Sequence, residues 1–208
     1  QDISSGEGRT VLFVSHNMAT IKSICPNSIF LENGTVCEYG ETVRVIKNYL
    51  NNQKDLPRTI SKPKNSSLNL HDVKVISTDD GVFQDFSSKF ELKILFEITQ
   101  EQVCPCISYH IINSNGISVL HEIFNDGTRL ILENGKYEIY FTIPKLKLLP
   151  DRYSISVFVA DNETRLRLDT VLEVCHFEVI GMESSYFYGQ PGSAIYRETN
   201  TSYELIKK

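Results

Sequence analysis

The sequence predicts a mainly β protein, an antiparallel β-sandwich of immunoglobulin-like or jelly-roll-like type, preceded by a small α/β segment. Three observations carry this. From Leu68 onward apolar side chains recur at every second residue, as in Phe90, Leu92, Ile94, Phe96 and Ile98 set against Glu91, Lys93 and Glu97, the pattern of a strand with one buried face. Turn-forming residues separate such runs at sandwich-like spacing, at Asp79-Asp80-Gly81, Asn115-Gly116, Asp126-Gly127, Asn134-Gly135, Pro150-Asp151 and Asp161-Asn162. Before Leu68 the pattern mixes short apolar runs with helical spacing, so a different kind of structure comes first.

Thr10 to Val14 is a continuous apolar run and predicts a strand over 10–15. A helix follows at about 17–25, stopped by Pro26. Asn33-Gly34 between two short apolar runs predicts a hairpin of 28–32 and 35–39. A second helix over 42–52 sets Val43, Ile46 and Leu50 in one apolar stripe that needs a partner surface. Residues 53–67 then lose periodicity and gain proline, lysine and serine, the composition of a linker. The expected organisation is a first piece over 1–53, a linker over 54–67 and a sandwich over 68–208. Its strands are expected at 70–77, 90–98, 106–113, 117–124, 136–143, 153–160 and 171–180, with a weakly alternating terminal strand within 195–206.

Composition narrows the classes of function. With 41% hydrophobic residues in 208, the chain can fill a core, and no apolar run approaches the roughly 18 residues that cross a bilayer. No basic-then-apolar leader opens it, and without an initiating Met it reads as an excised, soluble piece. The five cysteines, Cys25, Cys37, Cys104, Cys106 and Cys175, are odd in number and scattered, which suits reduced thiols of a cytoplasmic protein; no metal site is expected from their spacing. A net charge of -5, without blocks of Lys or Arg, argues against nucleic acid as a partner.

One histidine in the first piece suggests chemistry. Gly8 to Leu50, with Ser15-His16-Asn17 closing an apolar strand, resembles the switch-histidine segment and following hairpin and helix of ABC ATPase subunits, in the branch that exports polysaccharides. The resemblance makes 1–53 the C-terminal remnant of an ABC ATPase domain. It implies that His16 senses the γ-phosphate of ATP in the intact parent, where ATP and Mg would be the cofactors. This stretch of chain is expected to need no cofactor and to perform no hydrolysis. No GxxxxGK[ST] phosphate loop is present: Gly135-Lys136 is followed by Tyr137, with Leu130 where the first glycine belongs.

The remainder resembles a family as well. Ile143-Pro144 through Leu148-Leu149-Pro150-Asp151-Arg152-Tyr153 is similar to a strand connector of exporters of the Wzt type, with Asp151 where glycine is usual. Phe177 to Gly181 resembles their closing strand, and Asn113 to Gly116 their hairpin. Such exporters carry a glycan-binding β-sandwich after the ATPase. The resemblance therefore implies recognition of a lipid-linked surface polysaccharide, an undecaprenyl-linked glycan. It also implies a homodimer, a membrane permease partner, and a cytoplasmic location at the inner face of a bacterial cell membrane. The alternative is a dimerisation or regulatory domain without a ligand, or the domain of a teichoic-acid or other glycan exporter.

Sugars present apolar C–H faces and rings of hydroxyls, so a site for them combines aromatic rings with hydrogen-bonding groups. On the solvent-facing phase of the strands the candidates are His110, Glu138, Tyr140, Phe158, His176 and Glu178. A phosphate on the polymer would draw in Arg129, Arg165 and Arg167. The aromatic, glycine-broken tail offers Tyr186, Phe187, Tyr188, Ile195 and Tyr203 as dimer or tail contacts, with the terminal strand expected to pair with a neighbouring subunit's sheet edge.

Overall fold

The computed structural model describes residues 11–15, 18–52, 58–59, 66–78, 82–180 and 201–208. The chain divides into two compact units, Gln1–Tyr49 and Leu50–Lys208.

In the first unit α1 (Met18–Ile24) leads to a hairpin of β1 (Asn27–Glu32) and β2 (Thr35–Glu41), and α2 (Thr42–Asn52) begins there. Asn33 and Gly34 both adopt positive φ, 49° and 78°, as a two-residue turn requires when its twist matches the strands it joins. The Thr42 hydroxyl donates to the Cys25 carbonyl at 2.6 Å and lies 2.7 Å from the Ser28 hydroxyl, tying the helix start to the hairpin. Val45 and Ile46 of α2 are buried and Tyr49 meets Phe30 edge-on, whereas Val43 of the expected stripe is half-buried. The strand expected over 10–15 is not formed: residues 11–15 lie in no ladder, and Val11 to Val14 are exposed. Strand structure requires backbone pairing, and among the described residues no ladder includes this segment.

The second unit is an antiparallel sandwich. One sheet runs β3 (Arg58–Thr59), β11 (Arg167–Ile180), β10 (Arg152–Asp161), β7 (Pro105–Asn113), β8 (Ser118–Phe124), with β5 (Phe83–Asp85) added parallel to the end of β11. The other runs β12 (Ser202–Lys207), β9 (Gly135–Ile143), β6 (Phe90–Ile98), β4 (Leu68–Val75). The alternation read from sequence is the burial pattern of the central strands. Along β6 and β7 every second residue, from the first to the last, is buried and those between are half-exposed. Phe90, Phe96 and Ile94 from one sheet meet Ile107, Tyr109, Ile155 and Val157 from the other in a single core. Each fully buried Phe, Leu or Ile there contributes about 1.5–3 kcal/mol of transfer free energy.

Two strands were not foreseen, β3 and β5, because two or three residues are too short to show a period. β3 lies within the stretch read as linker, and pairs Thr59 with Val171 of β11. In β11 the period itself breaks: Glu173 and Cys175 take positive φ, 50° and 53°, and the ladder with β10 shifts register, so Val174 and Cys175 both pack against the core.

Candidate functional site

With their apolar faces packed together, the two sheets turn their other faces in opposite directions, and those faces differ in chemistry. On the β11–β10–β7–β8 sheet, ladder register aligns Ser156 of β10, His110 of β7 and His121 of β8 in one row. The rings of His110 and His121 stack at 4.1 Å with an interplanar angle of 18°, and Phe158 meets His110 edge-on at 5.1 Å. The Ser118 hydroxyl lies 2.8 Å from His110 Nδ1. Ser108 stands beside Phe158 in register, and Thr170 of β11 stands opposite Phe158 on its other side. Burial first, and the neighbouring His121 second, push the His110 pKa below its ordinary 6.5, so the ring is neutral near pH 7. The result is a patch of aromatic rings bordered by hydroxyls.

The outer face of the opposite sheet is ionic. Glu138 of β9 pairs with Lys93 at 2.6 Å and Lys208 at 2.9 Å, and accepts a hydrogen bond from the Tyr140 hydroxyl at 2.9 Å. The Lys93 ammonium, then that of Lys208, hold its carboxyl at about 2. His71 meets Glu97, and Lys89 meets Glu91, on the same sheet.

The six candidates therefore do not form one site. His110 and Phe158 come together, Glu138 and Tyr140 form a separate cluster on the opposite face, and His176 is half-buried on β11. Two of them are buried where solvent exposure was expected. Glu138, 6% exposed, is covered by its lysine and tyrosine partners; Glu178, 7% exposed, sits between Arg152 of β10 and Phe83 of β5, and β5 was not foreseen. His121 escaped the sequence reading, although the Asn113–Gly116 hairpin carried the signal, because a hairpin between 106–113 and 117–124 brings it opposite His110.

The arginines considered for phosphate sit in loops or at a strand end. Arg129 pairs with Glu163 at 2.6 Å, Arg165 donates to the Asn162 side chain at 3.2 Å, and Arg167 is exposed at the start of β11. The terminal strand pairs with β9: Tyr203 lies opposite Phe141, exposed with its ring edge on Phe124, and the Thr201 hydroxyl donates to Glu122. β12 thereby extends the sheet beyond the edge of β9, and Leu205 packs against the core. His16, Tyr186, Phe187, Tyr188 and Ile195 lie outside the described residues.

Known proteins place this architecture. The family model of the Wzt C-terminal domain matches residues 63–190, more than half of the chain. The chain belongs to that family. The crystal structure of the C-terminal domain of wzt has the same fold, with a TM-score of 0.54 at 10% identity, covering 70% of this chain and 90% of that one. RfbB, the ATP-binding protein of an O-antigen export system in Klebsiella pneumoniae, is 45% identical over 42 residues, which is 20% of this chain and 17% of RfbB. TagH, a teichoic acids export ATP-binding protein of Bacillus anthracis, is 35% identical over 43 residues, 21% of this chain and 8% of TagH. MetN, a methionine import ATP-binding protein of Clostridioides difficile, is 33% identical over 84 residues, 38% of this chain and 25% of MetN. The chain thus spans a quarter or less of the length of these relatives.

In this Wzt C-terminal domain the connector before β10 has a structural purpose. It buries Leu146 and Leu148, and the Tyr153 hydroxyl donates back to the Leu149 carbonyl at 2.8 Å. Asp151 stands in for the usual glycine without strain, since its φ is not positive. Its carboxylate accepts from the Arg152 amide at 2.7 Å and the Ser114 hydroxyl at 2.9 Å, clamping two loops together.

Proposed function

We propose that this Wzt C-terminal domain recognises a surface polysaccharide, and that the patch of His110, His121 and Phe158 is where the glycan lies. The observation that carries the reading is the pairing of three adjoining rings with flanking hydroxyls on an outward sheet face. Rings pack against the C–H faces of sugars, while serine hydroxyls both donate and accept and so match sugar hydroxyls. The O-antigen and teichoic-acid export names of RfbB and TagH support a polymer of that kind. The parent would then be the ATP-binding subunit of an ABC exporter, acting with a membrane permease at the cytoplasmic face of the bacterial membrane and drawing on ATP and Mg. This stretch of chain has no phosphate loop to hold ATP, so its own part is selection and it hydrolyses nothing.

Calorimetric titration with the source strain's own surface polysaccharide tests the reading. Saturable micromolar binding is expected, weakened about tenfold or more, or at least about 1.4 kcal/mol, by Phe158→Ala or His110→Ala. Binding that ignores both substitutions, or no binding at all, refutes it. We further propose a homodimer in which the terminal strand contributes, since β12 reaches β9 only after the segment 181–200. Light scattering of a chain ending at residue 192 is expected to report monomers; a dimer of that truncated chain contradicts the proposal.

A further inference from the structure

We infer that the site selects uncharged sugars and rejects uronate- or phosphate-bearing ones, an inference that rests on the glycan reading above. Along β7, β8 and β10 the outward positions between Cys106 and Ile112, Ser118 and Ile123, and Ser154 and Ala160 carry no Asp, Glu, Lys or Arg. What they carry is the ring cluster, the accessible hydroxyls of Ser108 and Ser118, the buried Ser154 and Ser156, and uncharged side chains such as Cys106, Ile112, Ile123 and Ala160. The opposite sheet face shows that this is a local property, because its outward positions hold Glu91, Lys93, Glu97 and Glu138.

A carboxylate or phosphodiester laid on the ring patch would give up water for partners unable to neutralise it. Desolvating an unpaired anion is costly, whereas a sugar hydroxyl exchanges water for a serine at little net loss. His110 does not supply the missing charge near neutral pH, since burial and the neighbouring His121 keep it unprotonated. Arg129 and Arg165, the loop cations that a phosphate would seek, are already engaged with Glu163 and Asn162. Where charge returns to this face, Arg152 of β10 stands opposite Glu178 of β11, so the two signs offset each other, and the exposed Glu173 of β11, whose amide donates to the Ser156 hydroxyl, adds only a negative group. Arg167, exposed opposite Ala160, is the nearest rival anchor and belongs in the test. Selectivity here comes from leaving a charged ligand unpaired rather than from a special contact to the right one.

The test uses the full 208-residue chain on an array of immobilised bacterial oligosaccharides. Neutral hexose and deoxyhexose chains are printed beside uronate-containing and phosphodiester-linked ones. The expected result is retention confined to neutral chains, falling at least tenfold in Phe158→Ala and in His121→Ser, the latter a change at an exposed position that leaves the core untouched. Retention of anionic chains that is lost in those two variants overturns the selectivity while leaving the glycan site standing. Retention of anionic chains that survives in them but is lost in Arg167→Ala overturns both the selectivity and the site. Absence of retention for every chain likewise overturns both.

Discussion

Replacing Asn125 by Ala removes a buried hub at one end of the sandwich. Its amide nitrogen donates to the carbonyls of Pro105 at 2.9 Å and Leu130 at 3.2 Å. Its side-chain oxygen accepts from the Leu130 amide at 3.2 Å and the Thr128 hydroxyl. Asn125 is 3% exposed and Pro105 is buried, so water cannot replace that bond, whereas Thr128 and Leu130 are exposed and can recover part of theirs. Counting about two bonds lost at about 1 kcal/mol each, with the Pro105 carbonyl left short of a donor, gives about 2–3 kcal/mol. The backbone adds to this. Asn125 has φ 63°, which Asn tolerates and Ala does not, for about 1 kcal/mol more. Asn125→Ala should therefore cost about 3–4 kcal/mol and lower Tm by roughly 6–16 °C for a domain of this size. Asn125→Gly loses the same hydrogen bonds without the strain, and should be the more stable variant by about 1 kcal/mol. Urea unfolding followed by far-UV circular dichroism measures both. An alanine variant as stable as the glycine one, or a cost below about 1 kcal/mol in either, would refute the reasoning.

Two titrations bear on the two outer faces. The depressed His110 pKa means that the unfolded chain binds a proton before the native one does. His110's contribution to stability is therefore full above about pH 6.5 and lost as pH falls through its lower native value. The groups facing the ring are His121 and Ser118 of β8 and Phe158 and Ser156 of β10. Proton NMR should find His110 titrating below 6.5 and moving upward in His121→Ala; an ordinary pKa in the native protein contradicts this. On the opposite sheet, Glu138 is held at about 2 against an ordinary 4.5, so its stabilisation is full above about 4.5 and lost as pH falls toward 2. Lys93→Met removes the largest cause and should raise the Glu138 value when its carboxyl carbon is followed by NMR. No change on that substitution would count against the ion pair.

Much of the sandwich was legible because its strands are half-buried and show it residue by residue. Phe90 to Ile98 and Pro105 to Asn113 follow their predicted alternation from end to end. Legibility failed where pairing, rather than pattern, decides. β5 exists because Phe83 finds Glu178 across a parallel contact, and β11 kinks at Glu173 and Cys175 to keep both sides of the break packed. The run from Val11 to Val14 reads as a strand in isolation, yet it joins no ladder among the described residues.

The candidate site divides in the same way. Exposed rings and hydroxyls on β7 and β10 could be named from the period of each strand alone, and the family could be named from short local stretches such as the Leu148-to-Tyr153 connector. Which of those residues share a surface could not. Successive strands mostly alternate between the two sheets, β4 to β5 to β6 to β7 and β8 to β9 to β10, so neighbours in sequence become back-to-back faces while neighbours in space come from distant segments. Period two tells which face of a strand a side chain takes, because that is set by backbone geometry within a few residues. Which other strand lies beside it is set by long-range burial and ladder register. For that reason, whereas the local hairpin already set His121 opposite His110, only the tertiary structure joined His110 to Phe158 and parted that pair from Glu138.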